Sequence, residues 1–283
     1  MDTETHCRVI LKKEKEQSVQ RFHPWIFSGA IHKIEGSPKD GDIVEVYDNK
    51  ANCLAVGHYQ VGSIMIRIFS FSKNIINYDF WKQKFFDAYN LRKQLGLINN
   101  SYTNVYRLIY GEGDGMSGLI VDYYNGVVVL QAHSVGMYNL RNCFSEILKD
   151  IYAEKISAVY DKSSETLPKA ANINCDNKYL YRNGVSENIV IENQNKFHVN
   201  IETGQKTGFF IDQRESRELL KKYVKDKIVL NTFCYTGGFS VYALNAGAKQ
   251  VHSVDSSKSA IELTNHNVNC TLSFSPLHAT PRV

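Results

Sequence analysis

The stretch Lys227-Ile-Val-Leu-Asn-Thr-Phe-Cys-Tyr-Thr-Gly-Gly-Phe239, continued by Val251-His-Ser-Val-Asp255, decides the fold. Ile228, Val229 and Leu230 form a short apolar run, the pattern of a parallel strand buried on both faces. Thr236, Gly237 and Gly238 break that strand. Phe239, Val241, Tyr242 and Leu244 then follow a helical period, and Gly247 closes the helix as a C-cap. A second apolar strand leads into Asp255. Strand, glycine turn, helix, strand and acid together read as one βαβ half of a nucleotide-binding α/β sheet.

The glycines discriminate between nucleotides. A dinucleotide site needs G-x-G-x-x-G, so that backbone and helix can close on a pyrophosphate. Here one Gly-Gly pair stands alone, and Phe233-Cys-Tyr235 holds the position of the first dinucleotide glycine. Such a turn suits a ligand whose charged end is a small carboxylate, and S-adenosylmethionine (SAM) fits. Its methionine end can meet the helix N-terminus, and Asp255 can accept hydrogen bonds from the ribose hydroxyls. An ordinary βαβ unit that binds nothing is the alternative for this stretch taken alone.

Three further motifs stand in order along the chain: His23-Pro-Trp-Ile-Phe-Ser-Gly29, Gly111-Glu-Gly-Asp-Gly-Met-Ser-Gly118 and Thr203-Gly-Gln-Lys-Thr-Gly-Phe-Phe-Ile-Asp-Gln-Arg214. With the Asn231–Phe239 turn, they closely resemble the class I SAM-dependent large-subunit rRNA cytosine-C5 methyltransferases that carry an N-terminal PUA domain. The resemblance covers roughly the first 270 residues. It implies a multidomain α/β and α+β chain: a PUA-like β-barrel over 1–72, a central α+β domain over 73–185, and the first part of a Rossmann-like methyltransferase domain over 186–283. It also implies SAM as cofactor and 23S-type large-subunit rRNA as partner. The cofactor residues it implies are Asn231, Phe233, Tyr235, Thr236, Gly237, Gly238 and Asp255, with Lys206 and Gln213 beside them. Gly237 and Gly238 let the backbone approach the ligand, and Asp255 holds the ribose. Lys206 and Arg214 are candidates for the methionine carboxylate or an RNA phosphate, and Asp212 is open to a second role as N-cap of a helix over Glu215–Val224.

Composition sets outer bounds. At 283 residues the chain has room for two or three domains. A hydrophobic fraction of 43% and a charged fraction of 22% are those of a soluble globular protein. The net charge of +4 is compatible with an RNA partner and argues for none by itself. No apolar run approaches the roughly 20 residues of a membrane span. The acidic start Met1-Asp-Thr-Glu-Thr5 reads as no secretory signal. The six cysteines are scattered without a C-x-x-C pair, and the nine histidines show no H-E-x-x-H spacing. A cytoplasmic protein with free thiols and no metal is expected. Its oligomeric state is open, with a homodimer as one option.

Along the N-terminal part, Arg8–Leu11, Ile43–Tyr47, Leu54–Val56 and Ile64–Ile68 read as short strands joined by polar turns. Lys12, Lys13, Lys15, Arg21 and His23 are of the kind that meets RNA phosphates, although Glu14 and Glu16 make a mixed-charge surface an equal reading. Trp25 and Phe27 read as core rather than as a stacking platform. A helix is expected from an Asp79 cap to Leu95 with Trp81, Phe85, Ala88 and Leu95 on its inner face, and Arg92 and Lys93 complementing its dipole. Gly111–Gly118 lacks the Gly-Lys-Ser/Thr ending of a phosphate loop and reads as a tight turn into Leu119–Val121. Asn125-Gly126 makes a hairpin, a helix follows over 137–153, and Ala158–Tyr160 forms another strand.

Beyond Asp255 a helix begins at Lys258, and past it Thr271–Val283 has no strand pattern. The family's Asp-Pro-Pro segment and catalytic cysteine motif are not found in the 283 residues, and Cys234 falls in the glycine turn as a packing residue. The chemistry implied by the resemblance needs that cysteine. Cytosine carbon-5 is a poor nucleophile until a thiolate adds to carbon-6, after which the enamine takes the methyl group. The catalytic residue is therefore unassigned, and the expectation is a truncated or frame-shifted chain without methyltransferase activity, its first strand short of one neighbour. Two other readings stand beside it: a non-catalytic RNA-binding protein, and a nicotinamide-dependent enzyme disfavoured by the missing glycines.

Overall fold

A computed structural model describes residues 7–184 and 189–272. The acidic N-terminus and the tail from residue 273 onward lie outside the described residues. The chain divides into two compact units. The first runs up to Gln94 and takes in Arg107–Asp122 and Gly126–Gly184; the second holds Leu95–Tyr106, Tyr123–Asn125 and the described residues beyond Gly184.

In the first unit, β1 (Cys7–Leu11), α1 (Glu16–Gln20), β2 (Trp25–Phe27), β3 (Ile31–Glu35), β4 (Ile43–Tyr47), β5 (Cys53–Tyr59) and β6 (Ile64–Ser70) follow one another. The strands form a six-stranded sheet in the order β2-β6-β5-β4-β1-β3, with β1 parallel to β4 and Val9 opposite Val46. Because successive strand residues point to opposite faces, Val9, Leu11, Val44, Val46, Ile66 and Ile68 all reach one core, sealed by Val19 of α1. Trp25 is half-buried and donates from Nε1 to Glu112 Oε1 (2.9 Å) and Ser117 Oγ (3.1 Å). Phe27, in contrast to the sequence expectation, is exposed, since β2 presents alternate residues to solvent.

Helix α2 spans Tyr78–Gln94. Its cap is Asn77 and not Asp79: the Asn77 Oδ1 accepts from the Phe80 N–H at 3.0 Å. Trp81, Phe85 and Ala88 are buried as expected, and Trp81 and Phe85 pack on Phe144 at ring separations of 5.5 and 5.1 Å. Leu95 lies past the helix end and is exposed. Arg92 is buried, donating to Asp114 and to the Arg107 carbonyl, so a paired charge replaces the solvent-facing role in the helix dipole.

Next come β7 (Val105–Tyr110), β8 (Leu119–Tyr124), β9 (Val127–Ala132), α3 (Val135–Asn139), α4 (Arg141–Tyr152), β10 (Ala158–Asp161) and β11 (Lys178–Arg182), whose strands order as β11-β10-β9-β8-β7. The single helix expected over 137–153 is two, because Ser134 caps a short first turn and the chain restarts at Arg141. Phe144, Ile147 and Leu148 then fill the inner stripe of α4.

The second unit contains the hairpin β12 (Ile189–Glu192) and β13 (Asn195–His198), then α5 (Arg214–Leu220), β14 (Ile228–Thr232), α6 (Gly238–Asn245), β15 (Gln250–Val254) and α7 (Lys258–Leu272). Strands β14 and β15 are parallel, from Ile228 opposite Gln250 to Thr232 opposite Val254. Val229 and Val251 join a core of Val224, Ala243 and Ala248. The expectation of a strand buried on both faces fails: Ile228 is 64% exposed and Leu230 65%. Among the described residues β14 pairs with β15 alone, and its alternate residues point away from that core. Asp212 lies inside a 3₁₀ turn (Ile211–Gln213) and caps nothing, since the helix follows Gln213 without a side-chain cap. Helix α7 takes in Thr271, which the sequence reading places in the tail. Among the described residues no helix is long and apolar enough to cross a membrane.

One buried base gives the first unit a pH dependence. His58 lies 4.7 Å from the Phe69 ring and stacks at 17° on Trp81, 5.9 Å away. Gly136 makes room for it, as a Cβ there would come within 2.2 Å of the imidazole. Burial, helped by Arg67, pushes its pKa down to about 3 from 6.5. The unfolded chain thus binds the proton first, and stability is lost as pH falls from about 6.5 toward 3. Urea unfolding at pH 7 and pH 5 should show a loss that His58→Gln reduces by about 1.4 kcal/mol per pH unit below the unfolded pKa.

Candidate functional site

Thr232 and Val254 end the parallel strands side by side, so Phe233 and Asp255 leave the sheet together at its carboxyl edge. In open α/β sheets that edge is where ligands bind. Asp255 accepts from the Tyr235 N–H at Oδ2 (2.9 Å) and from the Ser257 N–H at Oδ1 (3.0 Å). The N–H groups of Ser257 and Tyr235 hold its carboxyl below the usual carboxylate range.

The turn between β14 and α6 is held in a tense conformation. Phe233 (φ 57°) and Tyr235 (φ 49°) are left-handed without being glycine, and Gly237 (φ 77°) is left-handed too. Asp255 grips the Tyr235 N–H, and the Thr264 hydroxyl of α7 donates to the Tyr235 carbonyl at 2.9 Å. Asn267, fully buried on α7, donates to the Thr236 carbonyl at 2.8 Å. A Cβ on Gly237 would lie 2.7 Å from the Thr264 methyl, so this glycine is demanded by the packing of α7. Cys234 is buried against Thr264, and burial pushes its thiol up, consistent with a packing residue.

The upstream segment is tied to this turn through one phenol. Tyr235 Oη accepts from the Gln205 N–H (2.8 Å) and donates to the Gly208 carbonyl (3.2 Å), while its ring meets Phe210 edge-on at 5.2 Å. Beneath lies a buried charge cluster. Arg217, 1% exposed, donates to Glu192 Oε1 from Nε (2.8 Å), and from Nη2 to Oε2 (2.9 Å) and the Phe210 carbonyl (2.8 Å). Tyr242 adds its hydroxyl to Glu192 Oε1 at 3.0 Å, and burial followed by that carboxylate pushes its own pKa up. Asn231 donates to Ser240 Oγ (2.8 Å), itself 2.7 Å from Ser253 Oγ, which locks the strand ends to α6.

Above this network, the turn, Asp255, Asn231, Phe210 and Arg217 line a cleft of about 520 Å³, a size typical of small-molecule sites. Seven of the nine residues expected at the cofactor line it: Asn231, Phe233, Tyr235, Thr236, Gly238, Asp255 and Gln213. Gly237 and Lys206 do not; Gly237 faces α7, and Lys206 is exposed with a left-handed backbone. Arg214 is also outside the lining, donating to the Val105 carbonyl and approaching Glu192 at 3.4 Å, which makes it a structural residue here. Phe209, Phe210 and Arg217 line the cleft without having been singled out in the sequence. The signal for Arg217 was its place three residues after Arg214, one helical turn along.

The fold and site define a class. A PUA-like domain is matched over residues 9–71, and an S-adenosylmethionine-dependent methyltransferase over residues 114–273. The second match covers more than half of the chain, which belongs to the S-adenosylmethionine-dependent methyltransferase family. Its curated relatives include the ribosomal RNA large subunit methyltransferase I of Aeromonas hydrophila, 38% identical over 92% of this chain, and that of Photobacterium profundum, 41% identical over the same share. The chain spans 65% of the length of each. A solved structure from Streptococcus mutans, provisionally described as a SAM-dependent methyltransferase, superposes with a TM-score of 0.78 at 23% identity, covering 93% of this chain and 67% of its own. A second solved structure, provisionally described as a methyltransferase and complexed with SAH, gives the same TM-score and identity over 93% of this chain and 66% of its own. At that identity the likeness shows the fold alone.

Glu192→Gln should leave the Arg217 guanidinium buried without its counter-charge and cost about 3–5 kcal/mol. Denaturant unfolding of the variant measures it; a loss below about 1 kcal/mol would mean the cluster relaxes without the carboxylate.

Proposed function

We propose that this chain binds SAM in the cleft and represents the RNA-binding and cofactor-binding parts of an rRNA methyltransferase. The reading rests on one observation above all: an ionised acid just past the end of β15, an aromatic left-handed turn and a buried guanidinium line one cleft. The residues present fit the cofactor. Each Asp255 oxygen accepts one backbone N–H and keeps a lone pair for a ribose hydroxyl. Gly238 and Phe239 bring the first turn of α6 into the lining, where its partial positive charge favours a carboxylate. Arg217 reinforces that end: Nη1 lies 3.6 Å from where a Gly238 Cβ would be, and its other contacts use Nε and Nη2. Phe233, 90% exposed at the mouth, offers an aromatic face to the adenine.

When bound, SAM supplies an electrophilic methyl group. This chain's residues hold its two polar ends, with Asp255 on the ribose side and α6 with Arg217 on the methionine side. The target we assign is carbon-5 of a cytosine in 23S-type large-subunit rRNA, the activity implied by the resemblance. Residues 1–72, 73–185 and 186–283 then serve as RNA-binding, connecting and cofactor domains in a cytoplasmic protein. The exposed Lys13 and Lys15 supply phosphate contacts. No residue of the sequence matches the family's nucleophile, so the 283 residues alone bind cofactor and RNA without transferring the methyl group.

Titration calorimetry with S-adenosylhomocysteine should give saturable binding that weakens about tenfold or more, roughly 1.4 kcal/mol, in Asp255→Ala. Affinity unchanged in both Asp255→Ala and Arg217→Met would remove the cleft as the cofactor site, and tighter binding of NADH would revive the dinucleotide reading. Labelled methyl transfer from SAM to unmodified large-subunit RNA should be undetectable with these 283 residues. Transfer would overturn the non-catalytic part of the reading while leaving the cofactor site intact.

A further inference from the structure

We propose that His198, His266 and Cys270 form a binding site for a borderline-soft divalent metal ion of the zinc class. His198 is the last residue of β13, and His266 and Cys270 lie one turn apart on α7, so their side chains share a face. One ligand atom from each comes within 4.8 Å of the other two. The His266 Nε2 to Cys270 Sγ distance is 3.6 Å. A tetrahedral ion with nitrogen at about 2.0–2.1 Å and sulfur at about 2.3 Å has an N···S edge of about 3.6 Å, so this edge is already set. The imidazoles of His198 and His266 meet at 76° with centroids 4.0 Å apart. A tetrahedron needs their nitrogens about 3.4 Å apart, within the 4.8 Å that already bounds the three ligand atoms, and His266 is exposed, so its ring has room to turn.

The backbone beneath is braced for such a site. The His198 N–H donates to the Asn267 Oδ1 at 2.7 Å, which fixes the end of β13 against the helix that carries the other two ligands. A donor set of two imidazoles and a thiolate suits Zn²⁺ and Co²⁺, and water completes the fourth position. On ligation the Cys270 thiol gives its proton to solvent. Asn267 also holds the Thr236 carbonyl, so an ion that clamps α7 to β13 would brace the helix that anchors the glycine turn. The site does not depend on the cofactor reading, since none of its three ligands lines the cleft. Ordinary packing, with a Cys270–His266 hydrogen bond and an edge-to-face histidine pair, is the competing account of the same contacts.

Titrating Co²⁺ alone into the full 283-residue protein should produce, at one equivalent, tetrahedral d–d absorption and a thiolate-to-cobalt charge-transfer band that Zn²⁺ bleaches. Cys270→Ser should abolish the charge-transfer band, and His266→Ala should weaken binding by about tenfold or more. Iodoacetamide labelling mapped by mass spectrometry reads the wild-type protein independently of how the variants fold. Zn²⁺ should slow alkylation of Cys270 by about tenfold or more while leaving Cys53 unaffected. A charge-transfer band that survives in Cys270→Ser, or equal Cys270 labelling with and without Zn²⁺, would overturn the site in favour of packing.

Discussion

A carboxylate shut away from water sets the geometry of the second unit. Glu192 ends β12 fully buried, and it is tolerable there because Arg217, Arg214 and Tyr242 surround it with donors. Those donors come from α5, from its first residue and from α6, so a single charge decides where two helices stand relative to the hairpin. The ion pair need not add net stability, because desolvating both partners offsets most of their attraction. Its value is positional. The same guanidinium reaches the Phe210 carbonyl and thereby seats the segment that leads into the cleft.

Floor and rim of the cleft consequently differ in kind. The floor is a closed network in which Asn231, Ser240 and Ser253 pass hydrogen bonds between both strands and α6. The rim is an exposed phenylalanine, and an acid kept ionised by two backbone amides. Polar groups on the floor are committed to one another, and those on the rim retain acceptor capacity toward solvent. Buried groups thus chiefly preserve shape, Arg217 alone also turning Nη1 toward the first turn of α6, and the exposed acid and phenylalanine are left to recognise a ligand.

Much of this can be read from the residues alone where the signal is local. Gly237, Gly238 and Gly247 punctuate strand and helix, and Asp255 closes the second strand, all within 19 positions. Local misreadings are small, such as a cap at Asn77 instead of Asp79 and a helix split after the Ser134 cap, and the larger failures are non-local. Ile228 and Leu230 look like core because apolar runs usually are, yet burial depends on what covers the second face. Arg92 looks like a helix-end charge until Asp114, brought in by a distant turn, makes it a buried pair. Arg217 and Glu192 carry no motif, and their meeting requires the hairpin and α5 to be placed first. His198 stands far along the chain from His266 and Cys270, so no spacing rule joins them.

Two non-glycine residues held left-handed in one turn have a further consequence. Each such residue carries a conformational cost of order 1–3 kcal/mol, which persists only where surrounding contacts over-determine the backbone. Around Tyr235 they do: amide, carbonyl and phenol are each engaged, by Asp255, Thr264 and the Gln205–Gly208 segment. The cleft therefore exists before any guest arrives. A ligand that fits it loses little of its affinity to ordering the protein, and its association is set by diffusion and electrostatics and not by waiting for a loop to fold.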